Sequence, residues 1–101
     1  MHALSGYLEF RDEERVETLD ALRAVSERSR SDPGCIDYWW AEDVEVPNRF
    51  RFFECWDTLE AFESHQAQPY ETEFMERHVA RITGADAHIL DLAGRRPAYG
   101  G

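Results

Sequence analysis

The chain has 101 residues and a formal net charge of −10, with 43% hydrophobic, 13% aromatic and 32% charged side chains. That is enough apolar material for one small core and too much for a disordered chain. The acidity excludes the surfaces that draw affinity from nucleic-acid phosphates or anionic lipids. A domain of this size buries only about 60–65% of its unfolded surface, so a subunit partner would help it. All eleven basic residues are arginine, which we read as codon composition rather than as eleven functional guanidinium groups. No signal-peptide core and no run of about 18 apolar residues occurs, so a soluble, cytoplasmic protein is expected. Cys35 and Cys55 read as reduced thiols, and no CxxC or His-rich spacing points to a metal site.

In chain order, residues 3–10 (ALSGYLEF) alternate like a strand. RDEER then opens a helix over 13–30, with Asp12 as its N-cap and acids in the first turn, where the helix dipole favours them. Val16, Leu19, Leu22 and Val25 form its apolar stripe. Pro33-Gly34 is a turn signal.

CIDYWWAE (35–42) places Ile36, Tyr38 and Trp40 on one face, with Cys35, Asp37 and Trp39 on the other. DVEVPN connects it to RFRFFECW (49–56), which reads as an antiparallel hairpin. Centred on Glu45, that hairpin sets Cys35 opposite Cys55, Tyr38 opposite Phe52 and Trp39 opposite Arg51.

Asp57 and Glu60 have capping-box spacing, so a helix begins near Thr58 with Leu59, Phe62 and Gln66 on its inner face. Pro69 suits the first position of a further helix over 69–83. Its stripe would be Tyr70, Phe74, Met75, Val79 and Ile82, ended by Gly84. DAHILDLA is the last strand, and GRRPAYGG (94–101) has no periodicity. The order β-α-β-β-α-(α)-β is an α+β, ferredoxin-like arrangement with a four-stranded antiparallel sheet. The sheet face away from the helices also carries large apolar groups, so a homodimer through that face is expected.

The motifs Pro33-Gly34-Cys35, Pro47-Asn48, Glu54-x-Trp56, Ala61 with His65, and Pro69 occur in that order. In this the chain resembles the antibiotic biosynthesis monooxygenase domain, a family of dimeric α/β barrels, over about residues 3–92. The domain would occupy 1–93 and the tail 94–101. The resemblance implies a cofactor-independent monooxygenase that oxidises a planar phenolic, quinol or anthrone-like, polyketide-type aromatic with O₂, without flavin, haem or metal. The same fold hosts other activities. The alternatives are a non-catalytic barrel holding a small hydrophobic ligand or assisting a biosynthetic partner, an isomerase, or a haem-degrading enzyme. Many relatives carry His directly after the helix-starting Pro, where this chain has Tyr70. Haem-degrading relatives use an Asn on the first strand and a ligating His on the later helix; those places fall at Gly6 and about Phe74, with His78 one turn on.

Three residues are candidates for the chemistry. Trp56 is either a packed aromatic or, as the resemblance implies, a cavity wall that fixes a flat ring. Glu54 shares a strand face with Phe50, Phe52 and Trp56, and an inward carboxylate must be paired or hold its proton more tightly. It is read either as the partner of an arginine, such as Arg49, Arg51 or one from a partner subunit, or as a general base or acceptor for a substrate hydroxyl. His65 lies about 60° around the helix from Phe62. It is read either as a polar cover or as the base that takes a phenolic proton. Tyr38, Trp40 and Phe52 form an aromatic face that is either core, dimer interface or a slot for a planar ligand. Phe62, Tyr70, Phe74 and His78 complete the expected substrate-binding set.

Overall fold

The computed structural model describes residues 1–100. Strands β1 (His2–Phe10), β2 (Cys35–Glu42), β3 (Arg49–Trp56) and β4 (Ile82–Asp91) form one antiparallel sheet in the order β2-β3-β1-β4. Helices α1 (Arg15–Arg30), α2 (Leu59–Gln66) and α3 (Pro69–His78) complete the expected α+β, ferredoxin-like arrangement. No helix of the described residues is long and apolar enough to cross a membrane. Beyond Asp91 the Leu92 N–H donates to the carbonyl of Met1, and residues 93–100 carry no helix or strand.

The inner faces of the helices differ from those expected. Helix α1 buries Thr18, Leu22, Val25, Ser26 and Ser29, while Val16 is 72% exposed. Three of these are hydroxyl residues that donate to the carbonyl four residues back: Thr18 to Glu14, Ser26 to Leu22 and Ser29 to Val25. A buried hydroxyl satisfied within its own helix leaves no apolar signal. Asp12 is not the cap of α1. It lies in a 3₁₀ turn ahead of that helix and accepts from the Asn48 side chain.

The N-cap of α2 is Thr58, whose hydroxyl accepts the Ala61 N–H at 3.1 Å, one residue later than the Asp57–Glu60 pair suggests. Leu59 and Gln66 are exposed on α2, and its buried residues are Phe62 and His65. Helix α3 stops at His78, followed by a 3₁₀ turn over Val79–Arg81, so Ile82 begins β4 instead of ending a helix. Val79 is accordingly 58% exposed, and Met75 is exposed as well.

The β2–β3 hairpin pairs Tyr38 with Glu54, Trp39 with Phe53 and Trp40 with Phe52. This is two residues away from the expected register, which leaves the side chains of Asp37 to Trp40 on their expected faces. The loop centres on Val46 because Asp43 organises it. The Asp43 carboxylate accepts the N–H groups of Glu45 and Val46 and the guanidinium of Arg51, and Asn48 takes the left-handed conformation that closes the turn (φ 61°). An irregularity between Cys35 and Asp37 places Cys35 opposite Trp56, packed with Tyr38, Trp56 and Phe62 rather than on the Trp39 face.

Gly34 has φ +84°, and a Cβ there would meet both Ala61 Cβ and Asp57 Oδ1 at 2.5 Å. With the bond from Asp57 N–H to the Gly34 carbonyl (2.9 Å), it seats the α1–β2 turn against the β3–α2 corner.

Candidate active site

A cavity of about 520 Å³ opens between the inner sheet face and α3. Strands β1, β2 and β3 contribute Leu4, Leu8, Tyr38, Trp40, Phe52 and Glu54. The helical side supplies Gln66, Glu71, Thr72, Phe74, Met75 and Glu76. Trp40 is tilted onto Phe52 with ring centroids 4.7 Å apart and faces Phe74 at 6.5 Å, so much of the wall is aromatic. Its indole N–H donates to the Tyr38 hydroxyl at 3.1 Å. Trp40 also lines a second groove, of about 380 Å³, formed with α1 residues including Leu22 and Arg30.

Of the expected binding residues, Tyr38, Trp40, Phe52 and Phe74 line the large cavity. Phe62 does not; it packs with Tyr38 and Trp56 in the core. Tyr70 and His78 line a separate groove of about 200 Å³ between α1 and α3. Burial and the neighbouring Arg81 and Arg77 push the His78 imidazole below its ordinary pKa.

Glu54 and Trp56 project to the same side of β3, two residues apart. Trp56 is 0% exposed and donates from Nε1 to Glu54 Oε1 at 3.1 Å. The tryptophan is therefore behind the cavity wall, and Glu54 is in it. Arg49 pairs with Glu9 at 3.3 Å and Arg51 with Asp43 at 2.7 Å, so neither arginine partners Glu54.

His65 is also behind the wall, 1% exposed. Its ring stacks on Trp56 at 4.6 Å and meets Tyr38 edge-on at 5.7 Å. Nδ1 lies 2.9 Å from Asp32 Oδ2 and 3.0 Å from the Tyr70 hydroxyl, which itself donates to Asp32. With Asp32 ionised, both contacts are donated to its Oδ2, by the Tyr70 O–H and by a His65 Nδ1–H. The opposite nitrogen, Nε2, lies 3.9 Å from Glu54 Oε1 and 3.7 Å from Glu71 Oε2. It has no hydrogen-bond partner, and neither does Glu71 Oε2.

Glu71 and Asp32 are absent from the sequence-derived site. Asp32 stands before Pro33-Gly34, where aspartate is an ordinary turn residue. Glu71 stands in the first turn of α3, where acids serve the helix dipole.

Burial is the main cause that raises the pKa of both Glu54 and Glu71; the nearby His65 charge opposes it in each. Tyr38 and Tyr70 are both pushed well above the ordinary phenol value, again chiefly by burial, so they serve as donors and not as bases. Desolvation lifts the Cys35 thiol to about 11 and also raises Cys55, which leaves both cysteines poor nucleophiles. The arrangement has an acidic, water-poor wall inside an aromatic pocket, backed by an imidazole clamped by Asp32.

At Gly6, a Cβ would fall 2.1 Å from the Asp86 carbonyl oxygen and 2.6 Å from Ala87 Cα. A side chain at this place on β1, such as the Asn of the haem-degrading pattern, would therefore force β4 away.

A protein of Synechocystis sp., sll1783, described as uncharacterized, is 35% identical over 74 residues, covering 73% of this chain and 50% of its own length. The chain thus spans about half of that curated relative. Among solved structures, a candidate antibiotic biosynthesis monooxygenase from Deinococcus radiodurans superposes with a TM-score of 0.89 at 24% identity, covering 99% of this chain and 100% of the other. A similar candidate from Nitrosomonas europaea gives 0.84 at 16% identity over 93% and 100% of the two chains. These two likenesses establish the fold. The family model described as antibiotic biosynthesis monooxygenase matches residues 1–77, well over half of the chain, and the protein belongs to that family.

Proposed function

We propose that the protein is a cofactor-independent monooxygenase that oxidises a planar phenolic, quinol or anthrone-like aromatic with O₂. The observation that carries this reading is a pair of desolvated carboxylates, Glu54 and Glu71, in the wall of a cavity whose other lining is mainly aromatic and aliphatic. Because His65 and Trp56 are behind that wall, the proton-accepting role moves from His65 to Glu54. A carboxylate with a raised pKa is a stronger base than an ordinary one while still ionised. Trp56 orients it through the Nε1 hydrogen bond, and His65 offsets its charge. Both are positioning residues.

In the proposed reaction Glu54 takes a proton from an anthrone-type CH₂ group. The resulting enolate passes one electron to O₂, and the radical pair combines into a carbon-bound peroxide, which recovers the proton. Loss of water then leaves a quinone carbonyl, so one oxygen atom stays in the product and one leaves in the water. The protein supplies the base, the orientation of the ring between Trp40, Phe52 and Phe74, and exclusion of bulk water. The expected homodimer would cover the opposite sheet face, where Trp39 (39% exposed) stacks on Phe53. Sedimentation equilibrium of the purified chain tests it, and a monomer at micromolar concentration removes it.

Oxygen uptake with a panel of hydroquinones and anthrones tests the reaction. Uptake matched to quinone formation is expected, reduced about 10²–10⁴-fold in Glu54→Gln, the range for loss of a general base. Absence of uptake across the panel removes the oxygenase reading. Binding without uptake supports the non-catalytic alternative, and conversion without uptake supports an isomerase.

A further inference from the structure

The large cavity has a pronounced imbalance of charge. Glu54, Glu71 and Glu76 all line it, and no arginine, lysine or histidine does. His65 lies behind the wall and is engaged from the far side by Asp32 at 2.9 Å. Three carboxylates (Asp32, Glu54 and Glu71) therefore surround one imidazole.

The acceptors also converge. Glu54 Oε1 and Glu71 Oε2 lie 3.9 Å and 3.7 Å from His65 Nε2. These separations are too long for direct hydrogen bonds, so His65 Nε2 and Glu71 Oε2 are both left without a partner. His65 is 1% exposed, and its Nε2 is without a partner. An –NH₃⁺ group offers three donors and a positive charge in a compact cone. The wall also carries the aromatic rings of Tyr38, Trp40, Phe52 and Phe74, on whose faces a cation is attracted. Among the described residues no group of three or more His, Cys, Asp or Glu side chains is arranged to hold a metal ion.

We propose that the cavity selects an aromatic ligand bearing a primary alkylammonium arm, with the ring between Trp40, Phe52 and Phe74 and the ammonium group against Glu54 and Glu71. This rests on the cavity being the substrate site and narrows the substrate to a cationic-armed aromatic. Carboxylated or phosphorylated aromatics are rejected, because burying an anion beside two carboxylates adds repulsion to desolvation. The net charge of −10 acts in the same direction by drawing cations toward the surface.

Isothermal titration calorimetry with three probes of one shape tests this: 2-naphthylmethylamine, 2-naphthylmethanol and 2-naphthoic acid. At pH 7.5 the amine should bind at least about tenfold more tightly than the alcohol, the scale of one charge-assisted contact, and the acid should show no binding. Glu54→Gln and Glu71→Gln should each reduce the amine's advantage about tenfold while leaving the alcohol nearly unchanged. Glu63→Gln, at an exposed position on α2 away from the cavity, is the acid-to-amide control and should leave the amine's advantage intact. The proposal is overturned if the acid binds as well as the amine, if the amine's advantage survives both Glu54→Gln and Glu71→Gln, or if none of the probes binds. No oxygen is measured, so a failed oxygenase reading leaves the binding order standing. Oxygen uptake on neutral quinols alongside a flat binding order removes only the ammonium preference.

Discussion

Asp32 and His65, 33 residues apart in the chain, meet at 2.9 Å with their side chains only 7% and 1% exposed. The contact ties the end of α1 to the last turn of α2 and fixes which ring nitrogen faces Glu54 and Glu71. Replacing Asp32 with Asn keeps the shape but removes the charge. The loss should destabilise the fold by about 3 kcal/mol, as when one partner of a buried pair is removed. Urea unfolding checks it; an unchanged midpoint would mean that the Asp32–His65 contact does not hold the two segments together.

Trp56→Phe retains the aromatic packing and deletes the donor to Glu54. That hydrogen bond lowers the Glu54 pKa against the effect of burial, so its removal should raise the pKa further. The acidic limb of the pH–rate profile should move to higher pH, with little change in the plateau. A limb that does not move would separate the indole from the carboxylate's function.

Glu71 offers a stability test with a definite sign. Its folded-state pKa is raised above the ordinary value of 4.5, so the native state binds the proton more tightly than the unfolded chain. Its contribution is fully present below pH 4.5 and is lost as pH rises through the folded pKa. At pH 7 and above, Glu71→Gln should therefore melt higher than wild type, each kcal/mol being worth roughly 4–8 °C in a domain this size. Below pH 4 that advantage should vanish. A variant that melts lower at pH 8 would contradict the assignment. A gain in stability with loss of ligand binding is the pattern of a charge retained for function.

Gly34→Ala should destabilise by about 2 kcal/mol or more, because it combines a left-handed backbone with a collision on both Ala61 and Asp57. Circular-dichroism melting measures this, and a neutral result would show that the α1–β2 turn can move away from α2.

The sheet and its helices were largely legible because alternation and Pro-Gly punctuation are local signals. Leu22 and Val25 followed periodicity, whereas Ser26 and Ser29 are buried through hydrogen bonds that no hydropathy pattern reports. Glu54 was identifiable from alternation, as an acid on a strand face shared with Phe52 and Trp56. Its relation to Glu71 was not, because the two are brought together only when α3 folds over the sheet. His65 stood out as a lone imidazole, but its depth depends on Asp32, Trp56 and Tyr70, which come from three other segments. Spacing on one helix carries no information about such a meeting.

The two adjacent tryptophans of β2 point to opposite sides of the sheet: Trp39 stacks on Phe53 at the uncovered face, and Trp40 borders the cavity. Trp56 is sealed beside the imidazole. The chain thereby carries three separately addressable fluorophores, one facing the surface where a second subunit would dock, one at the ligand and one on the charge cluster. Single Trp→Phe replacements would let assembly, occupancy and protonation be followed as independent optical signals in the same sample.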